Sequence, residues 1–372
     1  MFSSIKNSVK RPTLADVAEL AGVSLGSASR ALSVPERVKP ATLQRVRAAV
    51  EQLGYVSNGA ARALASRRTY TIGAVFPTMY NQAFVDALQT LQATLWSMNY
   101  QVILATHEYQ AEREFDVIKT LVERGVEGIV LVGSTHEERV YELLRQRQLP
   151  LVLTWQRDEP PYGVSIGFDN WRATYRMAQE VIALGHRAIA VVCGSQANNN
   201  RSRQRVDGIA QAMQERRLRL DESQVYEAPF TIEGGRDAAR RLLAAGKPPT
   251  AILCMTDVQA LGVLDELGQA GWRVPQDISV TGMDNIEFSA LAQPALTTID
   301  VPSRAIGALA ARRIVSMVEQ TTFIESAELA CSLVLRQSLG VPREGDNGGP
   351  GGRAVVILTG PAAPNRRRSK RR

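Results

Sequence analysis

At 372 residues, 45% of them hydrophobic and 22% charged, the chain has the balance of a soluble protein of two or three domains. No apolar run approaches the roughly 20 residues that span a bilayer, and the start, MFSSIKNSVKRP, lacks the apolar core of a signal peptide, which points to the cytoplasm. The net charge of +7 is uneven: residues 1–68 hold eleven Lys/Arg against four Asp/Glu and residues 344–372 seven against two, so a basic head sits on a mildly acidic body and a polyanion partner suits the head.

Residues 1–11 carry no periodic pattern and read as a flexible start, and residues 12–57 read as a small all-α domain. In PTLADVAELAGVSLGSASRAL, Thr13 caps a first helix, and Asp16 completes a capping box with its charge at the positive helix end. Val17, Ala18 and Ala21 share one face. Gly22 supplies a left-handed stop, Val23 fills the joint, and Ser24 caps a second helix running to about Leu32. Ala28 and Leu32 turn inward, which leaves Leu25, Gly26, Ser29 and Arg30 on the outer face. This is the pattern of a helix-turn-helix, whose second helix is free to read DNA; a plain capped hairpin fits the same spacing. A third helix over Pro40–Leu53 puts Leu43, Val46, Val50 and Leu53 on one stripe, and Gly54 ends it.

The ordered segments TLADVAELAGVS, ASRAL and RVRAAVEQLGYVSNGAARAL resemble the lac-repressor (LacI/GalR) family of bacterial transcription factors. The likeness runs from about Pro12 to Pro342 and includes VPQDISVTGMDN and PALTTID. It implies a DNA-binding domain over 12–57, a hinge helix and linker over 58–70, and a periplasmic-binding-protein-like α/β core over 71–342. Lys39 stands where the family usually has a serine cap, and Ser57 where it has a proline. The hinge segment GAARALAS is too short to be a stable helix alone. The resemblance implies that Leu64 wedges between base steps in the minor groove with Asn58, Ala61 and Arg62 beside it; a linker with one stray leucine is the alternative.

The expected DNA contacts are therefore Thr13, Ser24, Leu25, Gly26, Ser27, Ser29, Arg30, Lys39, Asn58, Ala61, Arg62 and Leu64. Base preference falls to Leu25, Gly26 and Arg30: the arginine can pair with guanine, the leucine offers only apolar contact, as with a thymine methyl, and the glycine offers no side chain. Lys39, Arg67 and Arg68 suit phosphates, which set affinity more than sequence preference.

From Thr71 the pattern changes to apolar strands alternating with amphipathic helices. TIGAVFP, YQVILAT, GIVLVGS and PLVLTW read as buried strands, with helices around Phe84–Met98, Ala111–Arg124 and Glu137–Arg147. AIAVVCG, QVYEAPF, TAILCMT and ISVTGMD form a second series, with helices near Trp171–Leu184, Gln204–Glu215, Gly234–Ala245 and Val258–Ala270. Two doubly wound parallel-sheet subdomains follow, one over about 71–165 and 298–322, the other over about 166–297 and 323–342.

Ligands of such sheets gather at the carboxyl ends of the strands, so the cleft between the subdomains is the expected site. Asn81, Phe84, Trp155, Arg205, Phe230, Asp257 and Asp284 follow strands and form the expected effector set: aromatic faces for stacking, one guanidinium and two carboxylates for hydroxyls. By resemblance, Arg205 in RVDG matches the family's effector-binding arginine, Phe84 an aromatic, and Asp257 and Asp284 effector-contacting acids. Gln82, Ala83 and Thr256 depart from the family's usual residues. Structural alternatives exist for most of them: a helix cap for Asp257, a turn for Asp284, core packing for Phe84, Trp155 and Phe230. The amides and cations of GSQANNNRSR, with the likeness of NQAF and IGFDN to gluconate-type members, point to a sugar acid.

Cys193, Cys254 and Cys331 lie in apolar runs and read as buried free thiols, and His107, His136 and His186 share no ligand spacing, so no metal or cofactor is expected. Residues 343–372, with GDNGGPGG and NRRRSKRR, bury no core and read as a disordered basic tail without the leucine heptads of tetramerising relatives. The combined expectation is a cytoplasmic, nucleoid-associated homodimeric repressor on pseudo-palindromic operator DNA, controlled by a sugar or sugar acid such as gluconate, and not an enzyme or a membrane protein. The alternatives are an activator or corepressor-dependent regulator answering a metabolite such as a nucleobase and, further off, a solute-binding receptor or an enzyme using Asp257 and Asp284 as an acid/base pair.

Overall fold

A computed structural model describes residues 12–56, 68–321 and 325–343. The chain divides into two compact units, Met1–Tyr70 and Thr71–Arg372.

The first unit is built from helices α1 (Leu14–Leu20), α2 (Leu25–Ser33) and α3 (Pro40–Leu53). Thr13 and Asp16 form the expected capping box: Thr13 N–H donates to Asp16 Oδ2 at 2.7 Å, and Asp16 N–H donates to Thr13 Oγ1 at 3.3 Å. Gly22, at φ +61°, turns the chain where a side chain would be strained, and Ser24 Oγ then accepts from Ser27 N–H at 3.2 Å to start α2. The core is a small cluster of Val17, Ala21, Ala31, Val46 and Ala49. Small residues let the helices cross closely, so Val17 and Val46 are fully buried beside Ala31 and Ala49, while Leu32, Leu43, Val50 and Leu53 pack half-buried around them. Lys39 caps α3 without a side-chain bond, and Pro40 opens it.

The second unit holds two six-stranded sheets. The first contains β1 (Thr71–Phe76), β2 (Gln101–Thr106), β3 (Gly128–Val132), β4 (Leu151–Thr154), β5 (Val164–Gly167) and β11 (Ala327–Glu328), in the order β11-β5-β4-β3-β1-β2. The second contains β6 (Ile189–Cys193), β7 (Val225–Glu227), β8 (Ala251–Cys254), β9 (Ser279–Asp284), β10 (Thr297–Asp300) and β12 (Ser332–Val334), in the order β12-β10-β9-β8-β6-β7. All pairings are parallel except β12 on β10. Both sheets are doubly wound, with the strand order reversing between β1 and β3 and between β6 and β8, where such sheets bind ligands.

Helices α4 (Gln82–Ser97) and α12 (Ser303–Glu319) cover one face of the first sheet through Leu91, Leu95, Ile306 and Ile314. Helices α5 (Ala111–Glu123) and α6 (Glu138–Gln146) cover the other through Ile118, Leu121, Val140 and Leu144. The second sheet lies between α7 (Asn170–Ala183) with α8 (Asn200–Glu215) and α9 (Ile232–Ala244) with α10 (Asp257–Gln269).

Several expectations are corrected here. YQVILAT is an edge strand, half-exposed along β2, because among the described residues no strand pairs with its outer side. The sequence reading did not single out β5, β10, β11, β12 or α12. Their pairings also move the subdomain limits: β5 extends the first segment of the first subdomain to Gly167, and β10 keeps residues up to Asp300 in the second. Residues 323–342 do not all belong to the second subdomain either, since β11 pairs with β5 before β12 returns to β10. Cys331, between those two strands, is only half-buried, whereas Cys193 and Cys254 are buried.

Candidate functional site

In the first unit, α2 presents Leu25, Gly26, Ser29 and Arg30 outward; Leu25 is 54% exposed and Gly26 has open space where a Cβ would stand. The helix carries no acidic residue, so nothing on it opposes a phosphate backbone. Thr13, Ser24 and Lys39 are exposed beside helix N-termini, whereas Ser27 is half-buried with its Oγ 2.9 Å from Ser24 Oγ. Asn58, Ala61, Arg62, Leu64 and Arg67 lie outside the described residues.

In the second unit, the carboxyl ends of both sheets meet across a cleft. Its inner chamber is lined by Asn81, Phe84, Tyr109, Trp155, Asn199, Arg201, Ser202, Arg205, Phe230, Thr256 and Asp284. Six of the seven expected effector residues are therefore brought together. Phe84 and Trp155 form the apolar floor, with ring centroids 4.8 Å apart at 80°, and both also belong to the core of the first subdomain. Phe230 reaches in after β7, and its ring occupies the space a Cβ at Gly194 would need; only glycine at the end of β6 permits that approach.

Arg205 is fixed by its neighbours: its Nε donates to Asn170 Oδ1 at 2.8 Å and one Nη to the Met255 carbonyl at 2.8 Å. Asn170 Nδ2 in turn donates to the Trp155 carbonyl at 2.9 Å, so IGFDN positions the arginine rather than lining the cleft. Asp284 ends β9 at φ 122°, a strained conformation for a residue with a side chain, and accepts from Asn81 Nδ2 at 3.0 Å. Burial raises its pKa to about 7, with Arg205 opposing and Asp257 adding to the rise.

Asp257 is the exception. It is 0% exposed and accepts from Ile286 N–H and from the hydroxyls of Ser289 and Thr298, so its role is to tie α10 to β10 and the start of the short helix α11 (Glu287–Leu291). Nor is it the helix cap: Thr256 takes that place and lines the cleft itself.

Tyr109 was not anticipated, and Asn199, Arg201 and Ser202 were anticipated only as part of the GSQANNNRSR loop, without individual roles. Helix α8 was expected from Gln204, but Asn199 caps it, accepting from Ser202 N–H at 3.3 Å, and the added first turn puts Arg201 one turn before Arg205. The asparagine run before that helix was the available signal. Burial lowers the pKa of Arg201 to about 10, with Arg205 adding to the fall, so it stays cationic near neutrality.

The cleft is bridged. Beside the Asn81–Asp284 bond, Asn200 Nδ2 donates to Ser134 Oγ at 2.9 Å and Asn200 N–H to Thr135 Oγ1 at 3.2 Å, while the Tyr109 and Phe230 rings meet at 5.4 Å. The inner chamber holds about 20 Å³, room for roughly one water. Outside it lies a vestibule of about 640 Å³ that shares Tyr109, Asn199, Arg201 and Phe230 with the chamber. The fold also joins two histidines the sequence keeps apart: His136 Nδ1 lies 3.0 Å and His107 Nε2 3.4 Å from the buried Glu114 carboxylate at the vestibule wall. Burial pushes the Glu114 pKa up, but the His136 hydrogen bond and the charges around it outweigh that and lower it. No side-chain group among the described residues has the geometry to hold a metal, and no described helix is long and apolar enough to cross a membrane.

The profile of bacterial regulatory proteins of the lacI family matches residues 13–58, and that of the periplasmic binding protein-like domain matches residues 178–339. Catabolite control protein A of Priestia megaterium is 30% identical over 327 residues, 88% of this chain and 98% of that protein. The chain belongs to the LacI family. Among solved LacI-family structures, the lac repressor dimer bound to operator and the anti-inducer ONPF matches with a TM-score of 0.79 at 25% identity, over 89% of this chain and all of that one. The CelR–cellobiose complex matches with a TM-score of 0.65 at 27% identity, over 88% of this chain and 100% of that one. As a LacI-family protein this is a DNA-binding transcriptional regulator with an effector-binding core.

Proposed function

We propose that the protein is a repressor that binds a pseudo-palindromic operator as a homodimer and answers a sugar or sugar acid, such as gluconate, held in the cleft. The observation that carries this reading is the chamber itself: an aromatic floor of Phe84 and Trp155 beneath a fixed guanidinium, a carboxylate and two amides. Flat apolar faces stack on sugar rings and chains, while Arg205, Asp284, Asn81 and Asn199 fix hydroxyls and charge. The cellobiose complex of a relative supports a carbohydrate, and the lac repressor dimer on its operator supports one half-site per subunit. No reaction is assigned to the cleft: Asp257, the partner Asp284 would need as an acid/base pair, is spent on three structural donors.

In this reading α2 enters the major groove, with Arg30 and Leu25 reading base edges and Lys39 and Arg68 set against phosphates. Residues 58–70 act as the hinge, Leu64 as its minor-groove wedge. Ligand exchange requires the bridges through Asn81, Asn200 and Tyr109 to open, since the closed chamber admits about one water. The ligand thereby changes how the two subdomains are held, and this change is coupled to the pairing of hinges on DNA. Selection of bound DNA from a random pool, repeated with gluconate and related sugar acids at fixed salt, tests the proposal. A recovered palindrome whose occupancy responds to an acid is the expected result, and a palindrome indifferent to every acid would overturn the sugar-acid reading.

A further inference from the structure

Arg201 stands out from every other charged group in the cleft. It is 8% exposed, lines both the chamber and the vestibule, and makes no hydrogen bond or ion pair among the described residues. Its neighbour Arg205 has its Asn170 and Met255 bonds, and the carboxylate of Glu114 on the vestibule wall is engaged with His107 and His136. A guanidinium taken out of water without a partner is costly, and a second guanidinium one turn away adds repulsion. The Arg201 guanidinium stands in the wall shared by the chamber and the vestibule, where an arriving group can reach it. Asn199 and Ser202, which line the chamber with it, are neutral and could share such a group.

We propose that Arg201 is the anion-reading residue of the cleft, so that the effector carries an oxyanion, a carboxylate or a phosphate, on a polyhydroxyl body. The body lies in the chamber against Phe84, Trp155, Arg205 and Asp284, and the oxyanion faces Arg201 at the boundary with the vestibule. This rests on the cleft being the effector site. Arginine suits the task because its planar fork meets two oxyanion oxygens at once.

The test is calorimetric titration of the full chain with gluconate, glucose 6-phosphate and the neutral glucitol, comparing wild type with Arg201→Met, Arg201→Lys and Arg205→Ala. Wild type is expected to bind an acid roughly tenfold to a hundredfold more tightly than glucitol; Arg201→Met should lose that preference and Arg201→Lys keep part of it. Which acid binds separates carboxylate from phosphate. Arg201→Met without ligand should also unfold a few degrees higher than wild type, because it removes a buried unpaired charge. Equal affinity for acid and polyol, an acid preference that survives Arg201→Met, or a lower unfolding temperature for that variant would each overturn the assignment. If Arg205→Ala abolishes binding while Arg201→Met leaves the preference intact, the cleft reading stands and this inference alone fails. If Arg205→Ala leaves every affinity unchanged, or no compound binds wild type, both fail.

Discussion

Asp257 and Asp284 are both buried carboxylates near strand ends, yet their surroundings assign them opposite work. Removing Asp257 leaves three buried donors without an acceptor, each costing about 1–3 kcal/mol, so Asp257→Ala should destabilise the core by at least about 2 kcal/mol in urea unfolding. Asp284→Asn should change stability by less than about 1 kcal/mol, because the carboxyl already titrates near neutrality and its Asn81 bond survives. Its pKa of about 7 also makes effector binding depend on pH. The charged and titratable groups facing it are Arg205 from α8, Asp257 from α10, Tyr109 after β2 and the Cys331 thiol between β11 and β12, with the neutral Asn81 at the start of α4. A bound anion raises that pKa further, so the complex holds more protons than the free protein, and affinity for an acid should fall as pH rises through about 7. A neutral sugar accepted by the ionised carboxylate would show the opposite slope, which calorimetry at several pH values reads directly.

At the scale of elements, α2 and α8 each depend on a polar cap that decides where side chains point. Ser24→Ala removes the side-chain acceptor for Ser27 N–H and should cost the first unit about 1 kcal/mol, read from its thermal midpoint. Arg30→Ala should change operator preference at one position by about 1–3 kcal/mol, whereas Lys39→Ala should weaken all sequences alike and reduce the salt slope; binding measured over single-base operator variants and several salt concentrations separates the two. For α8 the cap at Asn199 decides more than stability. A start at Gln204 would leave Arg201 in a loop, while the observed start makes it part of the first turn and aims it at the cleft.

At the scale of the whole molecule, the cleft exists only because the chain crosses between two similar sheets and brings their carboxyl ends together. Coupling between the effector and the operator is reciprocal: whatever factor the ligand changes operator affinity by, operator DNA must change ligand affinity by the same factor. Paired titrations, operator with and without ligand and ligand with and without operator, should return equal factors, and Arg205→Ala should bring both to unity.

Features whose information is local are legible in the amino-acid order. Caps at Thr13 and Ser24, the stop at Gly22, the outward face of α2 and most strands of the two α/β series follow from hydrogen-bonding side chains and hydrophobic period within a few residues. The strand-end rule was local too, and it led to six of the cleft residues. Which acid faces the cleft depends on long-range contacts, since Asp257 and Asp284 differ in partners that lie far along the chain. Such contacts also decide that β11 and β12 belong to different sheets, that His107 and His136 share Glu114, and that Tyr109 meets Phe230 across the cleft. Each of these depends on a long-range pairing, and a short or polar segment carries no periodic signal of the partner it will find.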